Sequence, residues 1–175
     1  MKFKSYRMVS LLALFYLGLA LPAAAGDDRY IGYYYPAPAE IETYCGRIPV
    51  LDGMDKRKRV GFVIGLKDGA ASVPYEVPFS IFVKGGNAEK LIIVAKREGY
   101  LNSIYRVRAL LAELTSNART MPIFEDTGAP EELTFLDLLA SLEFRSITVS
   151  DGAAFTHQIR MHPVSAANCQ SSQSG

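Results

Sequence analysis

Two β-branched runs, Ser80-Ile81-Phe82-Val83-Lys84 and Lys90-Leu91-Ile92-Ile93-Val94-Ala95-Lys96, stand on either side of Gly85-Gly86-Asn87. Branched and aromatic side chains favour the pleated surface of a strand, and a short glycine-bearing spacer lets the chain reverse, so the pair predicts a hairpin. The second run is apolar on both of its faces, which predicts a central strand. A second hairpin follows from Ser146-Ile147-Thr148-Val149 and Phe155–Met161 around Ser150-Asp151-Gly152, where glycine supplies the positive φ of a tight turn. Phe155, His157, Ile159 and Met161 share one face of its last strand.

Helical spacing fills the intervals. From Asp55 to Ser72, Val60, Phe62, Val63, Ile64 and Leu66 fit a helix despite Gly61 and Gly65, with Lys56-Arg57-Lys58-Arg59 as a solvated first turn. Ser103 to Arg119 carries Ile104, Val107, Leu111, Leu114 and Ala118 on one stripe, with Ser103 as N-cap. Thr134 to Phe144 opens on a capping box in which Thr134 faces Asp137 three residues on. Val73–Pro78 is extended, because each proline disfavours α conformation in the residue before it. The expected fold class is α+β: a single domain with an antiparallel sheet of about four strands from two hairpins and about three helices packed on one side.

The ends are of a different character. Residues 1–25 combine Lys2, Lys4 and Arg7, an apolar run from Met8 to Ala20, and Leu21-Pro22-Ala23-Ala24-Ala25. That is the pattern of a secretory signal peptide, with cleavage expected after Ala25; a retained anchor helix is the competing reading. Residues 26–50 are then a Tyr/Pro-rich N-terminal arm, with no regular structure expected over 26–44, residues 51–163 the globular domain and residues 164–175 a disordered tail. Removal of the leader takes the formal charge from +1 to −2, which is not the balance of a nucleic-acid binder. Cys45 and Cys169 are the two cysteines, too far apart for a redox or metal motif and available to form one disulfide in an oxidising compartment.

Chemistry-bearing motifs are few. His157 and His162 are the only histidines, and His157 lies on an apolar strand face, where a hydrogen-bonded core or rim residue is the ordinary occupant. There is no Gly-x-Ser-x-Gly elbow, and the adjacent acids Glu125-Asp126 and Glu131-Glu132 read as solvated loop residues. Lys84, Lys90, Arg106, Arg108 and His157 would make an anionic-ligand pocket if the fold brought them together; Lys96 also flanks the first hairpin, and the plain reading of its lysines is that they guard strand ends. Tyr33, Tyr34 and Tyr35, before Pro36-Ala37-Pro38, are candidate partner-binding residues on an arm that would otherwise lie across its own domain. Catalytic residues remain unknown, and no metal site or cofactor is implied.

Gly32-Tyr33-Tyr34-Tyr35-Pro36, Phe82-Val83-Lys84-Gly85, Glu89-Lys90-Leu91-Ile92-Ile93-Val94, Tyr105–Leu111 and Val149-Ser150-Asp151-Gly152-x-x-Phe155 resemble a set of small exported, uncharacterised proteins of alphaproteobacteria. Some members of that set carry the label molybdopterin-guanine dinucleotide biosynthesis protein A. The cytoplasmic nucleotidyltransferase of that name is similar only at Gly53-Met54-Asp55-Lys56 and lends this chain no site residues. The resemblance implies a periplasmic or secreted protein. On the residues, the first expectation is an exported envelope binding or accessory module without catalytic activity, with an envelope protein as partner, no nucleic acid, and no membrane attachment after cleavage. The alternatives are a small anionic-ligand binder or enzyme with a basic pocket, and, by the label alone, a molybdenum-cofactor protein.

Overall fold

A computed structural model describes residues 36–72, 74–125, 133–164 and 169. The elements run β1 (Glu40–Cys45), α1 (Lys56–Ala71), β2 (Phe79–Lys84), β3 (Lys90–Ala95), α2 (Ile104–Arg119), the single turn α3 (Pro122–Glu125), α4 (Phe135–Ser141), β4 (Ser146–Ser150) and β5 (Thr156–His162). The class is α+β in one domain. Among the described residues no helix is long and apolar enough to cross a membrane.

Both hairpins form, β2 with β3 and β4 with β5, each antiparallel. The sheet is nevertheless mixed and five-stranded, in the order β1-β5-β4-β3-β2, which corrects the expectation of four antiparallel strands. Two pairings make the difference. The long α2–α4 connection returns β4 parallel to β3, as a parallel neighbour requires a crossover of a dozen or more residues. In addition, Glu40–Cys45, expected within an irregular arm, is a strand parallel to β5. Its period-2 pattern puts Glu40, Glu42 and Tyr44 on one face, so the alternation is one of polarity types, and hydrophobic periodicity does not reveal it.

The described helices pack on one face of the sheet. The core there joins Phe79 and Ile81 of β2, Leu91 and Ile93 of β3, Ile147 and Val149 of β4, and Ile159 and Met161 of β5 to Phe62, Leu66, Val107, Leu114, Leu138 and Leu139 of the helices. Asp55 caps α1, its carboxylate accepting from the Lys58 amide at 2.8 Å. The buried stripe of α1 is Arg59, Phe62, Val63, Leu66 and Ala70; Phe62, Val63 and Leu66 belong to the expected apolar set, whereas Ile64 is 53% exposed. Arg59 is correspondingly not a solvated residue of the first turn. It donates to the carbonyls of Asn87 (2.8 Å) and Leu142 (3.2 Å) and pairs with Glu143 at 3.3 Å, tying α1 to the β2–β3 turn and to the end of α4.

Cys45 and Cys169 are joined in a disulfide, with their α-carbons 5.6 Å apart and a sequence separation of 124. Of the expected tail, Val164 and Cys169 are described; the leader 1–25, the first ten residues of the arm and the rest of the tail lie outside the described residues.

Candidate functional site

Three elements converge over the β1 edge of the sheet. β1 turns Glu40, Glu42 and Tyr44 towards the helices, where the register sets them beside His157, Ile159 and Met161 of β5. α2 contributes Arg108, and α4 presents its N-terminus with Thr134 and Asp137.

His157 is 2% exposed and its Nε2 lies 3.1 Å from a Glu42 carboxylate oxygen. A carboxylate only accepts, so that nitrogen carries the proton. Among the described residues Nδ1 has no hydrogen-bond partner, and it stands 3.6 Å from a Glu40 carboxylate oxygen. Arg108 closes the cluster from above, its guanidinium reaching both Glu42 oxygens at 2.6 Å. Burial pushes the Glu42 carboxyl up, but the hydrogen bonds from Arg108 and then His157 outweigh it and hold the group below its usual range.

Next to this cluster Asp137 is the hub of a second one. Its side chain is fully buried and accepts from the Arg47 amide (3.0 Å), Arg47 NH2 (2.6 Å), the Tyr44 hydroxyl (2.9 Å), and the Thr134 amide (2.9 Å) and hydroxyl (2.8 Å). With Thr134 it forms the expected capping box. Burial alone would raise the carboxyl, yet Arg47, then the Thr134 amide and hydroxyl, then Tyr44 bring it down to about 2. The same ion pair raises Arg47 above its ordinary value, and burial raises the Tyr44 phenol.

Between α2, α4 and β1 lies a cavity of ≈ 410 Å³. Leu111, Ala112, Phe135 and Leu136 line it with apolar surface; Tyr44, Thr134, Arg108 and Arg119 supply polar groups. Thr115 in its wall donates to the Leu111 carbonyl at 2.7 Å and accepts from the Phe135 amide at 2.9 Å, which fixes α4 against α2. Arg119 donates a hydrogen bond to the Leu133 carbonyl. A second cavity of ≈ 330 Å³, between Tyr75, Glu76, Phe79, Tyr100 and Glu113, has carboxylates and no cation among its lining residues.

Of the residues singled out from sequence, Arg108 and His157 meet on Glu42. Lys84 and Lys90 pair with each other across β2 and β3, on the sheet face away from the helices, and Arg106 turns to the Gly99 carbonyl at 2.7 Å. Burial holds the Lys84 ammonium below its usual range. Tyr33, Tyr34 and Tyr35 lie outside the described residues. Sequence reasoning passed over Glu42, Tyr44, Arg47 and Arg119. For the first two, the alternation within Glu40–Cys45 was the available signal. Among the described residues no group of three His, Cys, Asp or Glu side chains is placed to hold a metal ion.

No protein-family model, curated protein or solved structure matches the chain.

Proposed function

We propose that this chain is an exported cell-envelope protein that holds a small amphipathic anion in the cavity between α2, α4 and β1, without changing it chemically. The cavity carries the reading. Its ≈ 410 Å³ falls in the size range of small-molecule sites, and an apolar wall with a few convergent polar groups is what such sites present. Glu42 and Asp137 already have cationic partners in Arg108 and Arg47, so among the described residues Arg119 leaves the lining with surplus positive charge. A guest with an apolar body against Leu111 and Phe135 and a carboxylate or phosphate towards Arg119 matches that distribution. Binding is favoured over catalysis because both nitrogens of the one buried imidazole face carboxylates, and neither is aimed at a nucleophile. Export is supported by the leader pattern of residues 1–25 and by the disulfide, since such bonds persist in oxidising compartments.

The test is calorimetric titration of the purified chain with short-chain fatty acids, aromatic carboxylates, alkyl phosphates and pterin phosphates. Saturable binding by one class, weakened at least about tenfold in Arg119→Gln, is the expected result; that factor corresponds to loss of a single charged hydrogen bond. Retention of an envelope protein on the tagged chain, undisturbed by Arg119→Gln and with no small anion bound, would replace this reading with that of an accessory module.

A further inference from the structure

α2 has a cavity on each flank. At about 100° per residue, Arg108, Ala112, Thr115 and Arg119 share one side of the helix, and Glu113 and Asn117 lie nearly opposite. The cavity of ≈ 330 Å³ on the Glu113 side is walled by three rings, Tyr75, Phe79 and Tyr100, and by the carboxylates Glu76 and Glu113. Phe79 is buried and forms its floor; Tyr100 lies against it with ring centroids 6.4 Å apart and planes 17° from parallel, and Tyr75, 80% exposed, stands at the rim. The frame is fixed from below. The Pro78 carbonyl accepts from the Lys96 amide at 2.8 Å, and the Tyr100 amide donates to the Arg97 carbonyl at 3.2 Å, so both sides of the ring pair are tied to the end of β3.

The acids of this cavity are not neutralised from within. Glu76 stands 3.8 Å from Arg97 with both side chains largely exposed, a pair of little worth in water. Among the described residues Glu113 has no ion-pair partner, and Arg106, two turns back on α2, is held by the Gly99 carbonyl at 2.7 Å. Burial first, and then the charge of Glu113, push the Tyr100 phenol up, with Arg106 pulling the other way, so the Glu113 carboxylate is within electrostatic reach of the ring. An aromatic face is apolar and carries the negative lobe of its quadrupole, and it attracts a cation that sheds water easily. A hard metal ion instead asks for six or more oxygen ligands, which a wall made largely of rings does not offer. We propose that this cavity is a binding site for a methylated ammonium group, its methyls against Tyr100 and Tyr75 and its charge balanced by Glu113.

The experiment is calorimetric titration of the purified chain with choline and with its neutral isostere 3,3-dimethylbutanol. Choline is expected to bind saturably and about tenfold more tightly than the isostere, the scale of a desolvated contact between a cation and an aromatic face. Glu113→Gln and Tyr75→Leu, both at exposed positions, are each expected to weaken choline by about three- to tenfold. Arg119→Gln, on the other flank of α2, is expected to leave choline binding unchanged, which keeps this site separable from the anion cavity. Phosphatidylcholine vesicles distinguish the source of the group. Retention on them that free choline reverses identifies a lipid headgroup, and choline binding without retention identifies a free ammonium compound; either bears the proposal out. Equal affinity for the isostere would reduce the cavity to an apolar groove, and displacement of choline by equimolar calcium would make it a carboxylate metal site. Each of these overturns the proposal, as does the lack of saturable choline binding at millimolar concentration, or binding that neither Glu113→Gln nor Tyr75→Leu alters.

Discussion

Replacing Asp137 by Asn removes one charge and one acceptor from a fully buried hub while keeping its shape. The folded protein holds this carboxyl at about 2 against an ordinary 3.8. At about 1.4 kcal/mol per pH unit, the ionised form contributes about 2.5 kcal/mol. The folded value lies below the unfolded one, so the contribution is complete above the unfolded value and is lost as pH falls from 3.8 towards 2. The carboxamide of the variant keeps one oxygen for the Thr134 amide but turns an N–H donor towards Arg47, adding part of a cap's worth, about 1 kcal/mol. The half-exposed Arg47 takes up water in the variant, which keeps the loss below that of a wholly buried pair broken on one side. Asp137→Asn is therefore expected to lose about 3 kcal/mol near neutral pH, a large share of the stability of a domain this size. Urea unfolding of both proteins, repeated at intervals from neutral pH down to about pH 2, reads the effect, and the gap should shrink to about 1 kcal/mol at the acid end. A gap that stays constant through the acid limb would refute the reasoning, because the loss would then not depend on the charge of Asp137.

Three further perturbations test other joints of the fold. Reduction of the Cys45–Cys169 bond frees a loop closed across a sequence separation of 124, and chain entropy sets the loss at up to about 5 kcal/mol; unfolding midpoints that coincide with and without reductant would contradict it. Glu42→Ala deprives the buried His157 of its acceptor and Arg108 of its carboxylate, with an expected cost of about 1–3 kcal/mol in urea unfolding, and an unchanged midpoint would mean that the cluster is not structural. At Gly46 an added Cβ would sit 2.7 Å from the Cβ of Ala140, so Gly46→Ala forces β1 away from α4 at about 1–3 kcal/mol; the companion Ala140→Gly should restore most of the loss, and failure to do so would place the strain elsewhere.

The hairpins and the three longer helices were legible because each rests on a local signal: β-branched runs around glycine turns, an apolar stripe, a cap. Asp55, Ser103 and Thr134 all stand at helix N-caps. The parallel pairings were not, because nothing local encodes them. β1 pairs with a strand more than a hundred residues away, and its helix-facing side carries Glu40, Glu42 and Tyr44 where a strand entering a core would carry aliphatics. Charge also hid Arg59: inside a run of four basic residues it reads as solvated, and only the arrival of the Asn87 and Leu142 carbonyls makes a buried place for it.

The site was half legible for a related reason. Arg108 and His157 could be named as residues that carry chemistry, but what joins them is Glu42, whose importance depends on the unread strand. Lys84 and Lys90 carry the same charge as Arg108 and are drawn into the same hypothesis by sequence alone, since composition does not say which face of a sheet a side chain occupies. Register decides it: Lys84 and Lys90 share the parity of Phe82 and Ile92, and Glu42 that of Ile159. The two faces of this sheet thereby acquire separate chemistry, an apolar helix side with a charged, cavity-bearing β1 edge, and an opposite side that mixes Lys84 and Lys90 with hydroxyls and apolar side chains. β3, apolar at four successive buried positions, has to satisfy both.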